Sequence, residues 1–222
     1  MSLDTTSVIT LTDSALAGGN AMCVLAGRIA STMGTGPRAG HAIVVVGSTP
    51  GEQAVVQRQS AALCATGDLL CRSNLLTLPA KENAQRLIGL LGLVGVEAML
   101  LDPSGYAPIT RGHALEAEPR LLHARRFEEA AARSRVLVIA GGIGRTPDGA
   151  MTSLGTGSAD LSGLFIAQRL GLPARLVVSD RDADAGYVLP KRASLFARKH
   201  GLAYAVGSGV GVAEDAGVPI SA

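Results

Sequence analysis

The sequence of 222 residues contains no tryptophan, and aromatic residues make up only 3% of it. Proteins that bind single-stranded nucleic acids stack the bases on aromatic side chains, so this scarcity argues against such a role. Lys and Arg number 20 against 18 Asp and Glu, which leaves a net charge of +2 with no basic stripe. We therefore expect no nucleic-acid partner, because nucleic-acid binders concentrate positive charge on one face.

Cysteine is also scarce. Cys23, Cys64 and Cys71 form no Cys-x-x-Cys pair, which argues against a disulfide framework or a cysteine zinc site and favours a reducing compartment. The four histidines show no metal-ligand spacing. Apolar runs end before the roughly 18–20 residues of a membrane span, and the N-terminus lacks the basic and apolar blocks of a secretion signal. These absences predict a cytoplasmic protein with no metal held by its own ligand cluster and no membrane partner.

The sequence is rich in apolar residues (47%) and contains 28 glycines. Apolar runs predict strands that are buried on both faces of a sheet. The predicted strands are 41–47, 95–101, 136–140 and 175–179. Helical periodicity predicts helices at 80–93, 121–133 and 160–170. This alternation predicts an α/β fold, a three-layer α/β/α sandwich with a mostly parallel central sheet.

Two glycine-rich turns follow one of the predicted strands. Gly141 and Gly142 come directly after it, where backbone N–H groups can approach an anion closely. The second turn, 154–160, opens a predicted helix that Ser158 or Asp160 is expected to cap. Two such turns at one sheet edge predict a nucleotide-phosphate site, and the alternative is that the glycines only form tight turns.

An acidic segment at 180–187 follows the last predicted strand and ends in Gly-Tyr. Its three aspartates are solvated turn residues in the simpler interpretation. Beside a phosphate site they could instead contact ribose, adenine or magnesium-bound water. The sequence contains neither the Gly-x-x-x-x-Gly-Lys-Ser/Thr motif nor a Gly-x-Gly-x-x-Gly motif after an N-terminal strand, so the two common nucleotide-binding classes are excluded.

In order, these motifs resemble the catalytic domain of aspartokinases, in the amino-acid kinase superfamily. They are Gly-Gly-x-Gly-Arg-Thr-x-Asp-Gly from residue 141, Leu-Gly-x-Gly-x-x-Asp from 154 and Ser-Asp…Gly-Tyr…Pro from 179. Leu-Thr-Leu-Pro-Ala-Lys-Glu, which ends at Glu82, resembles the family segment whose Glu helps to hold the amino-acid substrate. The tail 197–220 resembles the family's last helix and strand entry. The match runs from about residue 75 to 220 and is poor before that.

The resemblance implies a single amino-acid kinase-like domain over 1–222 without a regulatory domain. Residues 1–135 would form a substrate and dimer lobe, and 136–222 a nucleotide-binding lobe. The implied activity is ATP-dependent phosphoryl transfer to a small carboxylate or related acid, with ATP and Mg²⁺ as cofactors. A homodimer is expected as well, because helices of the family's first lobe commonly pair and the apolar side chains between 87 and 100 exceed what one buried face needs.

The resemblance also implies roles for individual residues. The implied catalytic residues are Asp160, Arg145 and Lys191. The implied nucleotide-binding residues are Gly18, Gly19, Gly141, Gly142, Ser179, Asp180, Asp184, Gly186 and Tyr187. The implied substrate-binding residues are Glu82, Thr156 and Ser158.

Two cations of the family pattern are missing here. The family's first strand carries Lys-x-Gly-Gly, whose lysine neutralises the transferred phosphoryl group, and the nearest equivalent here has Leu16 in its place. Thr156 stands where the family has a substrate-binding Arg. Arg145, Lys191, Lys81 or magnesium could supply the lost charge. If the lost lysine limits the reaction, Leu16→Lys is expected to raise ATP turnover.

Two other functions stay open at this point. The chain could bind a nucleotide, metabolite or oxyanion without turnover, or it could be a structural subunit that pairs with a functional kinase. The missing cations favour these alternatives, and the ordered glycine and aspartate motifs favour the kinase.

Overall fold

A computed structural model describes residues 6–33, 41–63 and 68–208. The second half of the tail that resembles the kinase family, 209–220, lies outside these ranges. The strands are β1 (Thr6–Leu11), β2 (His41–Val46), β3 (Ala98–Leu101), β4 (Ile109–Arg111), β5 (Glu118–Leu121), β6 (Val136–Ala140), β7 (Ile143–Arg145), β8 (Met151–Ser153), β9 (Ala174–Val177) and β10 (Tyr204–Gly207). The helices are α1 (Ala21–Met33), α2 (Pro50–Leu63), α3 (Leu69–Leu93), α4 (Pro103–Tyr106), α5 (Ala124–Ala131), α6 (Ala159–Leu170), α7 (Asp180–Ala185) and α8 (Lys191–His200).

Six strands form the central sheet, in the order β10-β9-β1-β2-β6-β3, and each pairing in it is parallel. A smaller sheet, β5-β4-β7-β8, lies beside it. The predicted α/β fold with a mostly parallel central sheet is confirmed. Strands from the two halves of the chain interleave, because β6 lies between β2 and β3. No helix in the described ranges has both the length and the hydropathy needed to cross a bilayer.

Side-chain alternation along the central strands builds a core on each face of the sheet. In β2, Ile43 and Val45 pack on the face covered by α5, α6 and α8, while Val44 and Val46 pack on the face covered by α1 and α3. All four side chains are fully buried. Because burying one such side chain stabilises the fold by about 1.5–3 kcal/mol, both faces must be covered, and the three layers follow.

A capping box starts α2 at the carboxyl end of β2. The Thr49 hydroxyl accepts from the Glu52 N–H at 3.2 Å, and the Glu52 carboxylate accepts from the Thr49 N–H at 2.8 Å. Asn83 of α3 also donates to the Glu52 carboxylate, at 3.0 Å. These bonds join the start of α2 to the middle of α3, directly beside the carboxyl end of β2.

Several elements differ from the prediction. The helix predicted at 80–93 begins at Leu69 instead. The prediction started it too late because Pro79 lies inside the helix, whereas proline usually marks a helix start. The helix predicted at 121–133 is shorter, since residue 121 ends β5 and α5 begins at Ala124. The sequence-based assignment also left out β1, α1, α2 and the smaller sheet.

The apolar residues near the end of α3 divide between core and surface. Leu87 and Leu91 are fully buried, whereas Leu93 is 84% exposed and Val94 is 47% exposed. Leu93 and Val94 therefore remain as the exposed apolar surface on which the homodimer prediction depends, and the homodimer stays a prediction.

Helix α6 packs unusually close to the central sheet at Gly163. A Cβ at this position would lie 1.8 Å from Thr10 Oγ1 and 3.1 Å from Thr10 Cβ. Thr10 is a buried residue of β1, so it has little room to move away. Glycine at this position therefore sets how closely α6 approaches β1.

We expect Gly163→Ala to destabilise the protein. Overpacking a core costs about 1–3 kcal/mol, which outweighs the roughly 1 kcal/mol that alanine gains over glycine in a helix. Gly89→Ala in α3 is the matched control, because a Cβ there meets nothing within 4 Å and should raise the melting temperature. Thermal unfolding of both variants tests the packing, and equal melting temperatures would contradict it.

Candidate active site

A cleft of about 330 Å³ opens at the carboxyl ends of the central strands. Asp13 follows β1, Gly47 and Ser48 follow β2, and Gly141 and Gly142 follow β6, and all five line the cleft. Ligands of open parallel sheets bind at this edge, where neighbouring strands connect in opposite directions. Here β2 lies on one side of β1 and β9 on the other.

Helices α2 and α3 and the turn before α6 form the rest of the lining. Gln53, Gln57 and Ser60 have the spacing of one face of α2. Helix α3 contributes Arg72, Leu76, Thr77 and Ala80. The segment from the end of β8 to the start of α6 contributes Ser153, Gly155, Thr156, Ser158 and Ala159. Leu115 and Glu116 complete the lining. The cleft is therefore mostly polar and uncharged, with few ionisable side chains.

The glycine pair provides close packing rather than hydrogen-bond donors. The Gly141 N–H donates to the Val46 carbonyl at 2.8 Å, and the Gly142 N–H donates to Ser162 Oγ at 2.8 Å. Both N–H groups on which the sequence-based phosphate site relied are thus already satisfied within the protein. A Cβ at position 141 would lie 3.0 Å from Ala159, so glycine is needed here to admit the start of α6.

Helix α6 begins at the cleft without a side-chain cap, which corrects the expectation that Ser158 or Asp160 caps it. The Ser158 hydroxyl instead donates to the Gly155 carbonyl at 2.5 Å, so it is turned away from the helix N–H groups. The first N–H groups of a helix have no partner within the helix. Those of α6, at the cleft-lining Ala159 and just beyond, therefore remain available to an anion.

Two carboxylates lie close together at this edge of the sheet. Burial, together with the charge of Asp160, raises the pKa of Asp13 from 3.8 to about 6, although Gln53 donates to its carboxylate at 3.3 Å. Asp160 is only 2% exposed, and burial raises its pKa from 3.8 to about 6. Among the described residues, no lysine or arginine forms an ion pair with either carboxylate.

Tyr187 holds the second carboxylate of this pair in place. Its hydroxyl donates to Asp160 Oδ2 at 2.6 Å, and burial together with the Asp160 charge raises the pKa of the Tyr187 phenol well above its usual range. The Ser179 N–H donates to Ser14 Oγ at 3.2 Å, which joins the loop after β9 to the loop after β1. The segment at 179–187 is thus hydrogen-bonded to Asp160 at one end and, at the other end, to the residue that follows Asp13.

The structure brings together only some of the implied site residues. Gly141, Gly142, Thr156 and Ser158 line the cleft, and Asp160 is buried at its edge. The other implied residues with exposed positions outside this cleft are Gly18, Gly19, Glu82, Asp180, Asp184, Gly186 and Lys191. Half-buried Arg145 lies on β7 and does not line the cleft either.

Leu16 does not occupy the position that the sequence comparison gave it. It is 6% exposed and packs in the core formed by β1 and α1, so it does not face the phosphate region. The residue that follows β1 into the cleft is Asp13. The expectation that Leu16→Lys would raise turnover is therefore wrong, because the new charge would be buried in an apolar core.

Arg192, rather than Lys191, reaches the glycine turn. It donates to the Leu154 carbonyl and to the Ala117 carbonyl, the latter at 2.9 Å. It therefore ties α8 to the turn that precedes α6. Asp13, Arg72 and Arg192 were missed by the sequence-based analysis. The sequence offers a weak signal for Asp13 alone, since β1, which is rich in β-branched residues, ends two positions before it.

No protein-family model matches the sequence, and no curated protein sequence matches it. The structure is similar to aspartate kinase from Synechocystis (TM-score 0.71, 18% identity, 91% of this chain and 38% of that one). It is also similar to E. coli aspartokinase III in complex with lysine and aspartate (TM-score 0.68, 15% identity, 96% of this chain and 63% of that one). An isopentenyl phosphate kinase aligns with a TM-score of 0.61 and 15% identity over 90% of both chains.

These similarities confirm the resemblance at the level of the fold, which this chain shares with aspartokinases and an isopentenyl phosphate kinase. The chain spans less than two thirds of the length of the aspartokinases that it matches. At 15–18% identity, the comparisons extend to the fold alone.

We expect Asp13→Asn to gain stability over the wild type as the pH rises. The Asp13 pKa is 3.8 ordinarily and about 6 in the folded protein, so between these values the folded state binds more protons than the unfolded state. Its contribution to the free energy of unfolding is therefore lost as the pH rises through about 6. Asparagine does not titrate and escapes this loss.

Urea unfolding of both proteins at about pH 4.5 and about pH 7.5 measures the effect. The variant should improve relative to the wild type at the higher pH. Asp148→Asn serves as a contrast, because a hydrogen bond from Thr146 lowers the Asp148 pKa below 3.8, so both pH values lie above its titration and its difference from the wild type should hardly change between them. A difference between Asp13→Asn and wild type that does not change with pH would contradict the raised pKa.

Proposed function

We propose that this chain is an ATP-dependent kinase that transfers a phosphoryl group to a small acid, with Mg²⁺ bound alongside the nucleotide. The observation that carries the proposal is the uncapped start of α6, which lies at the ends of β1, β2 and β6 together with the carboxylate pair Asp13 and Asp160. The similar structures are those of kinases, which supports the same class of reaction.

The nucleotide phosphates would bind at the start of α6. The free N–H groups of its first turn carry the positive end of the helix dipole, which favours anions there. Gly155 and Gly157 precede this turn with φ values of +103° and +63°, conformations that other residues rarely adopt. The turn can therefore wrap closely around a phosphate, and Arg192 holds it from the side away from the cleft.

The carboxylate pair fits a magnesium ion. Mg²⁺ is usually held by one or two carboxylates together with phosphate oxygens and water, and these two carboxylates have no cationic partner among the described residues. Asp13 and Asp160 would hold the ion, which supplies the positive charge that phosphoryl transfer requires. Gln53 and Tyr187 orient the two carboxylates through their hydrogen bonds.

Binding without turnover is the second candidate function. Its support is that no lysine lines the described cleft and that Thr156, which replaces the family's arginine, is hydrogen-bonded to Gln57 at 3.1 Å. Removing one charged donor from a catalytic site costs about 10²–10³ in rate. If magnesium does not replace the missing charges, the same cleft would bind a nucleotide and leave it unchanged.

We expect MgATP to bind more tightly than ATP in the presence of EDTA. In isothermal titration calorimetry, Asp160→Asn should remove most of this difference while leaving the melting temperature near that of the wild type. Asp148→Asn, an exposed change of the same kind, is the control and should behave as the wild type. No heat from any nucleoside triphosphate at about millimolar concentration would contradict the proposal, since such binding would be weaker than about 4 kcal/mol.

Turnover separates the two candidate functions. ADP release should rise above background hydrolysis when the wild type receives MgATP with an acceptor from a panel of small carboxylic acids and phosphate monoesters. Asp160→Asn should lower that rate by at least about 10²-fold, because it removes a ligand that organises the transferred phosphate. Nucleotide binding with no acceptor-dependent ADP release would favour binding without turnover.

A further inference from the structure

Arg72 is the one cation among the residues that line the described cleft. It lies in the first turns of α3, and its Nε atom is buried with no hydrogen-bond partner. In the described part of the chain, its guanidinium makes no ion pair and its side chain makes no hydrogen bond. A buried donor without a partner has lost its hydrogen bonds to water, so the Arg72 Nε in this cleft is suited to an anionic ligand that accepts from it.

Residue 156 cannot supply this charge. Thr156 is neutral, and its hydroxyl accepts from Gln57 Nε2 at 3.1 Å. That bond connects α2 with the glycine turn at the position where the kinase pattern places the substrate-binding arginine. Arg72 reaches the same cleft from α3 instead, so the cation comes from the helical wall of the cleft rather than from the glycine turn.

The other polar atoms of the cleft complete a small binding site. Gln53 Oε1 is buried without a partner, which offers an acceptor to the ligand in addition to the Arg72 donor. Leu76, Ala80 and Leu115 provide an apolar surface. The volume of about 330 Å³ is at the low end of the range for ligand pockets, which restricts the ligand to a small molecule.

We propose that Arg72 binds the anionic group of the phosphoryl acceptor, a carboxylate or a phosphate carried on a short organic body, and that it determines the acceptor specificity. The inference rests on the proposed function, since it names the acceptor of that reaction. An arginine fork forms two parallel hydrogen bonds with either oxyanion. Uncharged analogues would leave the guanidinium unpaired and would be rejected.

Calorimetry with two probes tests this assignment. Succinate supplies planar carboxylates and methyl phosphate supplies a tetrahedral oxyanion, each titrated into the full chain. The wild type should bind at least one of them, and Arg72→Gln should lose about 10- to 100-fold in affinity, as expected for hydrogen bonds to a charged group. Arg86→Gln removes the same charge from an exposed site on the same helix and should bind as the wild type does.

Arg72→Lys distinguishes the two oxyanions and guards against a folding defect in Arg72→Gln. Lysine binds phosphate as a point charge but cannot reproduce the planar fork, so it should restore methyl phosphate binding better than succinate binding. Undiminished affinity in Arg72→Gln, an equal loss in Arg86→Gln or no binding of either probe to the wild type would overturn the assignment. MgADP is titrated separately, and its failure to bind the wild type would contradict the proposed function without changing how the anion result is interpreted.

Discussion

The close contact between α6 and the ends of three central strands determines the rest of the site. Ala159 lies where a side chain at Gly47 or Gly141 would have to be, and Gly163 leaves no room between α6 and Thr10. Because these glycines lack a Cβ, the helix start reaches the carboxyl ends of β1, β2 and β6. The glycines that resemble a phosphate loop therefore act through packing, and the free N–H groups that they bring to the cleft belong to α6.

This arrangement has an electrostatic cost that the fold has to bear. At neutral pH Asp13 and Asp160 are mostly ionised, since both have a pKa of about 6, and they repel each other in a partly dry environment. The two apolar cores on the faces of the sheet offset this cost. Active sites commonly retain such unfavourable charges because they become favourable when a ligand binds. In the proposed kinase, a bound magnesium ion would relieve this repulsion.

The sequence predicted those parts of the site that lie next to continuous apolar runs. Gly141, Gly142 and Asp160 were found because β6 is wholly apolar and its end is easy to recognise. Asp13 was missed because β1 contains three hydroxyl side chains and so lacks the continuous apolar run that marks β6. Lys191 was chosen where Arg192 makes the contact, since one step along a helix turns a side chain by about 100° and linear motifs do not show direction. Side-chain direction and helix-to-helix distance, which placed Arg72 in the cleft, have no short-range signal in the sequence.

The positions of Asp13, Leu16 and Arg72 determine where positive charge could act in the proposed kinase. Phosphoryl transfer depends on neutralising the charge that develops on the transferred group, and a kinase with a fixed lysine carries that charge permanently. Here Asp13 lies at the strand end and Leu16 packs in the core, so in the proposed kinase the positive charge at this strand end would come from the magnesium ion bound with the nucleotide. Each carboxylate that would hold the ion would also repel a free nucleotide, so metal binding and nucleotide binding would depend on each other by linkage. The acceptor's anionic group would compete with the phosphates for that same ion, and Arg72, a separate fixed cation on α3, would remove the competition.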